Sequence, residues 1–382
     1  REASRSKVAE GFHALHRVHA LNPLALRSSY SASVRPSRPA ATFSTPIFEP
    51  MGGEYHMGAK TSIQWTDATW NPVRGCSRVS AGCEHCYAER QAARPILSGP
   101  DKPYKGLVAK GSDGQPHWTG KVVLDERVLL EPLRWRKPRR VFVNSMSDLF
   151  HEGLPIESIA AVFNTMACAT LDCRHRFSDL SQHDDECWTG PPHTFQGLTK
   201  RSGRMREVLR ELPGWAGEHL SGDAALSMAI YAENWPLPNV WLGVSAEDQP
   251  TADARIPDLL ATPAAVRFVS YEPALGPVDF TGWLSGFVCP ECGPGGPADE
   301  DGCCTTCGAD CAIRERVGWI ICGGESGPGA RPMHLDWARS VRDQCRAAGV
   351  PFFMKQLSGL GGRAIKDMAT FPADLRIREF PA

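Results

Sequence analysis

The sequence has no excess of charge of either sign and no long apolar run. Its 382 residues contain 42 Lys plus Arg against 43 Asp plus Glu, for a formal net charge of −1. This balance excludes a strong field of the whole protein as the basis for binding nucleic acid or an anionic membrane, so such a partner would have to meet a local patch. No stretch approaches the roughly 18 consecutive apolar residues of a membrane span. We therefore expect a soluble protein with no membrane partner.

A secretory signal is also missing at the start of the sequence, because the first residues lack a continuous apolar segment. The chain has 14 cysteines, and they fall in tight local groups. An even scatter would favour a disulfide framework in an oxidising compartment, whereas tight groups favour metal sites in a reducing one. The cytoplasm is thus the expected location.

Residues 1–56 differ in composition from the remainder. They hold seven Lys or Arg against four Asp or Glu, contain no Cys or Trp, and begin with Arg instead of Met. An organelle transit peptide is one interpretation of residues 1–56. A disordered or non-native N-terminal extension, upstream of a start at Met51 or Met57, is the simpler one.

From residue 57 onward, short β-type runs alternate with amphipathic segments, which indicates an α/β fold with a parallel sheet. The segment PIESIAAVFNTMA carries apolar residues at helical spacing, and LDWARSVRDQCRAAG ends at Gly349 as a helix would. We expect a partial or complete parallel β/α barrel over residues 57–382, with an open doubly wound sheet as the alternative. In both, chemistry lies at the carboxyl ends of the strands. The candidate strands are TSIQW (61–65), RVFVNS (140–145), HTFQGLT (193–199), NVWLGVS (239–245), VRFVS (266–270), GWIICG (318–323) and VPFFMK (350–355).

The most informative motif places three cysteines directly after the first candidate strand. Cys83 and Cys86 are three residues apart, so a helical turn puts their sulfurs on one side, and the Gly-containing loop can bring Cys76 to them. Three thiolates suit a [4Fe–4S] cluster with one open iron. A structural zinc site would want four ligands, and buried or redox thiols are the third interpretation.

Two polar, turn-rich segments interrupt the alternation and are interpreted as insertions. Residues 286–313 contain two Cys-x-x-Cys pairs, the spacing of a zinc ribbon with Cys289, Cys292, Cys304 and Cys307 as ligands. Cys303 and Cys311 are close enough to compete as ligands. Residues 169–192 contain a weaker set, in which a second zinc site and solvated side chains are both possible: Cys173, His175, His183 and Cys187.

The motifs together resemble a known family. The runs TSIQWTDATWNPVRGCSRVSAGCEHCYAER, RVFVNSMSDLFHEGLP, PHTFQGLTKR, NVWLGVSAEDQ, RFVSYEPALGPVDF and IICGGESGPGARPMHLDWARSVRDQCRAAGVPFFMKQ closely resemble the phage gp thirty-seven/sixty-eight family. That family has no established activity and looks like a divergent branch of the radical S-adenosylmethionine enzymes. The resemblance implies a radical-SAM-like barrel, a [4Fe–4S] cluster on Cys76, Cys83 and Cys86, and bound S-adenosylmethionine. Six residues, instead of the usual three, separate the first two cysteines.

Polar residues at the other strand ends are the expected ligands of the cofactor and substrate. Asp148, Lys200 and Glu325 are the candidate catalytic residues. Ser145 and His151 accompany Asp148 after the second clear strand, and Asp248 and Glu272 end later strands. Besides the three cysteines, the candidate cofactor-binding residues are Ser145, Asp148, Ser245, Glu247, Gly323, Gly324 and Glu325.

Two basic segments, residues 134–140 and 200–210, are candidates for gripping a nucleic-acid backbone. The leading hypothesis is a cytoplasmic radical S-adenosylmethionine-type protein with a zinc-ribbon insertion, which modifies or repairs a nucleic acid or another macromolecule and needs a reductant protein. A non-enzymatic zinc protein that binds nucleic acid or protein is the alternative. A cluster that only senses redox state is a third.

Overall fold

The computed structural model describes residues 61–135, 137–169, 193–220, 222, 224–289, 293–294, 306–307, 312–313, 315–359 and 363–382. All of them belong to one compact unit that spans residues 53–382. The N-terminal extension predicted for residues 1–56 lies outside the described residues.

Seven parallel strands form a single curled sheet, a half-barrel. Each strand pairs with the next one along the chain, from β1 through β7, without a reversal of order. A doubly wound sheet reverses its order at a switch point, so that alternative is excluded. In the described part of the chain β1 and β7 pair with no common strand, and the barrel is therefore partial. The strands are β1 Ala68–Trp70, β2 Arg139–Val143, β3 His193–Thr199, β4 Val240–Ser245, β5 Val266–Tyr271, β6 Trp319–Gly323 and β7 Phe352–Gln356.

Helices connect most of these strands. The helix after β2 begins directly behind Pro155, whose fixed φ suits a helix start, and the helix after β6 ends before Gly349 at φ +63°. None of the helices in the described ranges combines the length and the apolar character that a membrane crossing needs. The main helices are α1 Tyr87–Ala92, α2 Ile156–Cys168, α3 Ser202–His219, α4 Ala225–Tyr231, α5 Gln249–Leu260 and α6 Leu335–Ala347, with short helices at Pro95–Ser98, Glu126–Leu129 and Thr281–Leu284.

Alternation along the strands separates two apolar faces. Val141 and Val143 of β2 belong to the large core that also contains the buried residues of the helices. Phe142, between them, belongs instead to a small aromatic cluster on the inner face of the half-barrel. This cluster fills the interior and consists of Trp65, Phe142, Phe268, Trp319, Ile321 and Phe353. Further along the same inner face, beyond Phe268 and Phe353, stand Ser270 and Lys355. The inner face therefore changes from aromatic to polar toward the carboxyl ends of the strands.

Six of the seven predicted strands are confirmed to within two residues, and one is wrong. TSIQW (61–65) is not a strand; the first strand of the sheet is Ala68–Trp70. The aromatic residue of TSIQW packs inside the half-barrel instead of pairing in the sheet: the ring of Trp65 contacts that of Phe142 on the inner face, with centroids 4.6 Å apart. Pairing with β2 begins only at Asp67, whose carboxylate accepts a hydrogen bond from the backbone of Arg140 at 2.8 Å.

The predicted zinc-ribbon insertion contains a small antiparallel sheet. The strand Phe287–Cys289 pairs with Gly293–Pro294 on one side and with Ala312–Ile313 on the other. Cys289 thus ends a strand, and Cys307 lies in an exposed turn. Cys292 and Cys304 lie outside the described residues, as do Cys173, His175, His183 and Cys187, so the zinc site and the second Cys/His group remain predictions.

The inner face leaves no space beside Phe268 at Gly243. A Cβ at this position would lie 2.6 Å from two ring carbons of the fully buried Phe268. Gly243→Ala is therefore expected to lower the free energy of unfolding by about 1–3 kcal/mol through overpacking. Urea unfolding followed by circular dichroism measures this.

Gly214→Ala is the matched control, because Gly214 lies inside α3 and a Cβ there would meet nothing within 4 Å. This substitution is expected to raise stability by about 0.5–1 kcal/mol. Equal effects of the two substitutions would contradict the packing of the inner face described above.

Candidate functional site

A cavity of about 260 Å³ opens at the carboxyl edge of the half-barrel, and it is called the site cavity below. Every strand contributes to it, either by its last residues or by the loop that follows. The lining includes Cys76, Cys83 and Cys86 after β1, Ser145 and Asp148 after β2, Lys200 and Arg201 after β3, Ser245 of β4, Ser270 and Glu272 at the end of β5, Glu325 after β6 and Lys355 of β7. The cavity thus opens at the carboxyl edge of the sheet, which is where the sequence analysis places the candidate site residues.

The three cysteines lie on one connection, residues 76–86, which we call the cysteine loop. Cys76 follows the short strand Val73–Arg74, Cys83 ends a 3₁₀ turn that begins at Ala81, and Cys86 immediately precedes α1. The backbone N–H of Cys86 donates to the carbonyl of Cys83 at 3.3 Å, so the two form the expected turn. The loop therefore brings all three thiols to the same cavity.

The three cysteines of the loop are half-buried, and burial acts on two of their thiols. Burial raises the pKa of Cys76 to about 12, with the nearby Asp148 carboxylate adding to the rise and the Arg201 cation opposing it. Burial also raises the pKa of Cys86. Protonated thiols are poor nucleophiles, so this environment does not suit covalent catalysis by cysteine. A bound metal would supply the positive charge that deprotonates them.

A zinc ion and an iron–sulfur cluster need different arrangements of their ligands. Among the described residues, no three His, Cys, Asp or Glu side chains are grouped around a common point as ligands of one ion. A single zinc ion requires such convergence. In a cubane iron–sulfur cluster each cysteine binds a different iron, so its sulfurs surround a larger volume. Three cysteines that line one cavity match the number of ligands that a cluster with one open iron takes from the protein.

Asp148 and Arg201 form the buried centre of the site. The Asp148 carboxylate accepts hydrogen bonds from the Thr199 hydroxyl at 2.7 Å and from Arg201 Nη1 at 3.1 Å. Burial alone would lower the pKa of Arg201, but Asp148 and Glu152 outweigh burial and raise it. The guanidinium therefore stays charged. Its Nη1 also points to the sulfur of Cys76 at 3.8 Å.

His151 contacts the cysteine loop through Ser77. The backbone N–H of Gly153 donates to His151 Nδ1 at 3.0 Å, so this nitrogen is an acceptor. Burial and the Arg201 cation lower the pKa of His151, which favours the neutral ring. The proton of the neutral ring therefore lies on Nε2, which donates to the Ser77 hydroxyl at 2.9 Å.

Glu247 binds the middle of the cysteine loop. Its carboxylate contacts Lys200 Nζ at 3.2 Å and Arg255 Nη1 at 2.9 Å, and accepts a hydrogen bond from the Ser80 hydroxyl at 3.1 Å. Burial alone would raise the pKa of Glu247, but the two cations outweigh it and lower the pKa. A Cβ on Gly82 would lie 2.1 Å from this carboxylate, so only glycine permits the approach.

Glu325 binds the end of the cysteine loop. Arg331 donates to its carboxylate from Nη2 at 2.6 Å, and His85 Nδ1 lies 3.0 Å from it. Arg331 also donates to the carbonyl of Ala81 at 2.9 Å and to the Glu84 carboxylate at 3.1 Å. Burial alone would raise the pKa of Glu325, but the hydrogen bonds from Arg331 and His85 outweigh it and hold the pKa at about 2.

The remaining predicted site residues have more local roles. Ser145 donates to Asn71 Oδ1 at 3.2 Å and faces the cavity with Ser245. Gly323 and Gly324 do not line the cavity in the described structure. A Cβ on Gly323 would meet the side chains of Glu272 and Gln356, and one on Gly324 would meet Ser358 at 2.3 Å. The two glycines allow neighbouring protein segments to approach.

The two predicted basic segments do not begin at the same edge of the sheet. Arg139 and Arg140 start β2, whereas Lys200 and Arg201 follow the end of the parallel strand β3. Arg140 pairs with Asp67 at 3.2 Å. Lys200 and Arg201 are directed into the site cavity and are paired there with carboxylates. These four cations therefore do not form one continuous surface for a nucleic-acid backbone.

Sequence reasoning missed the cations that organise the site. The sequence places Arg201 only within the basic segment 200–210, and neither Arg331 nor His85 is among the candidate site residues. Arg201 follows a strand end directly, and Arg331 lies six residues after Glu325, which is the signal that could have identified them. The partners themselves are distant in sequence: Arg201 meets Cys76 across 125 positions.

Residues 60–371 match the model of a protein family described as a protein of unknown function, DUF5131. The chain belongs to this family. No curated protein and no solved structure matches the chain at a significant level. Since the family carries no assigned activity, the site geometry is the basis for a functional proposal.

The contribution of Glu325 to the stability of the fold depends on pH, because its pKa is lower in the folded protein than its ordinary value. This pKa of about 2 lies below the ordinary value of 4.5, so the ion pair stabilises the fold fully above about pH 4.5 and less as the pH falls toward 2. Glu325→Gln is therefore expected to lower the urea midpoint clearly at pH 6 and by less at pH 3.5.

Glu84→Gln is the control, because it removes a mostly exposed partner of the same Arg331. An exposed pair contributes little, so we expect a small change at both pH values. A difference between wild type and Glu325→Gln that is the same at pH 6 and pH 3.5 would contradict the assignment.

Proposed function

We propose that this chain is an iron–sulfur protein of the radical S-adenosylmethionine type, related to the phage family that its motifs resemble. The observation that carries the proposal is that Cys76, Cys83 and Cys86 line one cavity at the carboxyl edge of a parallel half-barrel. The residue types support it as well, because three cysteines without a fourth cysteine in the same loop suit a cluster with one open iron.

In this proposal Cys76, Cys83 and Cys86 hold a [4Fe–4S] cluster and leave one iron without a protein ligand. When bound, the cluster and S-adenosylmethionine supply one-electron cleavage of the sulfonium bond and hydrogen-atom abstraction from the substrate. The protein's own task is to position both groups and to exclude water.

The charged residues of the site cavity suit that task. Asp148, Glu272 and Glu325 line the cavity, and each contacts a cation at 3.1 Å or less. Glu247 does not line the cavity in the described structure, but it contacts Lys200, which does. Charge-assisted contacts of this kind fix the orientation of a carboxylate. We therefore assign Asp148, Lys200 and Glu325 to orienting the cofactor and substrate. The hydroxyls of Ser245 and Ser270 face the same cavity and suit neutral polar groups.

The size of the cavity bears on the substrate. Its volume of about 260 Å³ lies near the lower end of small-molecule pockets, which span roughly 300–1,000 Å³. In this proposal the cluster and S-adenosylmethionine both enter this volume, so we expect little space in it for a whole substrate molecule. A substrate that enters only partly, such as one exposed group of a nucleic acid or another macromolecule, fits better. A reductant protein would have to supply the electron.

The first prediction of this proposal concerns metal content. Anaerobically purified and reconstituted full-length protein is expected to contain about four irons and four sulfides per chain from one cubane cluster. The triple variant Cys76→Ala, Cys83→Ala, Cys86→Ala is expected to lose this iron. Iron, sulfide and zinc analysis with visible absorption measures both.

Cys345→Ala is the matched control, because Cys345 is buried in the helical core and does not line the site cavity. It is expected to keep the iron. Zinc without iron in the wild type, unchanged in the triple variant, would overturn the proposal and favour the non-enzymatic zinc protein.

The second prediction concerns the cofactor. Reduced, cluster-loaded protein is expected to cleave S-adenosylmethionine to methionine and 5′-deoxyadenosine, measured by liquid chromatography and mass spectrometry. The triple variant is expected to form neither product. A loaded protein that leaves S-adenosylmethionine intact would contradict the radical mechanism and favour a redox-sensing cluster.

A further inference from the structure

Arg201 contacts the first two residues of the cysteine loop. Its side chain is only 4% exposed, although it is surrounded by polar partners. Nη2 donates to the Ser77 hydroxyl at 2.7 Å and to the Ser77 carbonyl at 3.1 Å. Nη1 lies 3.8 Å from the sulfur of Cys76 and is placed to donate to it. One guanidinium thus contacts both a predicted cluster ligand and the residue that follows it.

The two carboxylates beside Arg201 are not equivalent. Asp148 is buried and contacts Nη1 at 3.1 Å, the same nitrogen that faces Cys76. Glu152 is 63% exposed and contacts Nε at 2.8 Å, on the other part of the guanidinium. Water screens an exposed charge far more than a buried one. The local field at the Cys76 sulfur is therefore set mainly by the opposition of Arg201 and Asp148.

A binding role in gripping nucleic acid does not explain this arrangement. A residue that neutralises phosphates needs to reach the surface, and Arg201 does not. A purely structural role would be satisfied by the bonds to Ser77 and Glu152. The additional approach to the sulfur is what requires another explanation.

We propose that Arg201 is a positioning residue that sets the reduction potential of the cluster by donating to the Cys76 sulfur, an inference that rests on the proposed function. Reduction adds negative charge to a cluster and its thiolate ligands. A cation and a hydrogen bond at a ligand sulfur stabilise that reduced state and so raise the potential. Asp148 acts in the opposite direction, because its charge disfavours the added electron.

The test compares two variants with opposite expected signs. Arg201→Gln removes the cation, and the midpoint potential of the reconstituted cluster is expected to shift to a more negative value. Asp148→Asn removes the opposing carboxylate, and the potential is expected to shift to a more positive value. Redox titration followed by electron paramagnetic resonance measures both, without any need for substrate or turnover.

Arg206→Gln is the matched control, because Arg206 lies in α3, which begins directly after Arg201, pairs with Asp258 at 2.8 Å and does not line the site cavity. The reconstituted cluster of Arg206→Gln is expected to have the same midpoint potential as that of the wild type. A loosened site would not give opposite shifts for two partners of the same ion pair, so the signs separate an electrostatic role from a structural one.

The outcomes distinguish this inference from the proposed function. A wild-type protein that binds no cluster contradicts the proposed function itself. A wild-type cluster whose potential is unchanged in Arg201→Gln overturns the role of Arg201 alone. Where Arg201→Gln does not retain its cluster, the same titration is made on Arg201→Lys, which keeps the positive charge but lacks the guanidinium that reaches the Cys76 sulfur. A more negative potential in this variant supports the inference, and the wild-type potential overturns it.

Discussion

The site depends on a set of buried ion pairs that hold the cysteine loop against the carboxyl edge of the sheet. Arg201 binds the start of the loop at Ser77, Glu247 binds its middle at Ser80, and the pair of Glu325 and Arg331 binds its end. These contacts come from the ends of three different strands, β3, β4 and β6. The cysteine loop is short and mostly polar and has no apolar core of its own, so these polar contacts determine where its cysteines lie. Removing one partner of such a buried pair typically costs about 3–5 kcal/mol, because it leaves an uncompensated charge.

The parallel half-barrel makes this arrangement possible. All carboxyl ends of parallel strands meet at one edge, so residues that are far apart in sequence become neighbours there. Below that edge, the inner face is filled by aromatic rings around Trp319, with centroids about 6 Å apart. The rings close the interior and leave a cavity only at the top. On β5, for example, Phe268 packs in the aromatic cluster, and Ser270, two residues closer to the edge, lines the site cavity.

Charge pairing also limits the chemistry that the cavity can perform. Neighbouring cations lower the pKa of Glu325 at the cavity and of Glu247 beside it, and burial raises the pKa of Cys76 and Cys86. Neither group is prepared for proton transfer or for nucleophilic attack at neutral pH. Such a site is better suited to holding a cofactor that brings its own reactivity. The proposal of a cluster protein is consistent with this arrangement.

The sequence alone determined the fold class, six of the seven strands and the loop that carries Cys76, Cys83 and Cys86, because these depend on local patterns of apolar residues and on short spacings. It failed at TSIQW, since an aromatic residue in a strand and one that packs inside a barrel have the same local appearance. The tertiary structure decided that the barrel is partial, that the basic segments 134–140 and 200–210 begin at opposite edges, and that Arg201 and Arg331 serve the cysteine loop. Ion-pair partners separated by more than a hundred residues leave no periodic trace in the chain, so only the folded sheet could bring Arg201 to Cys76.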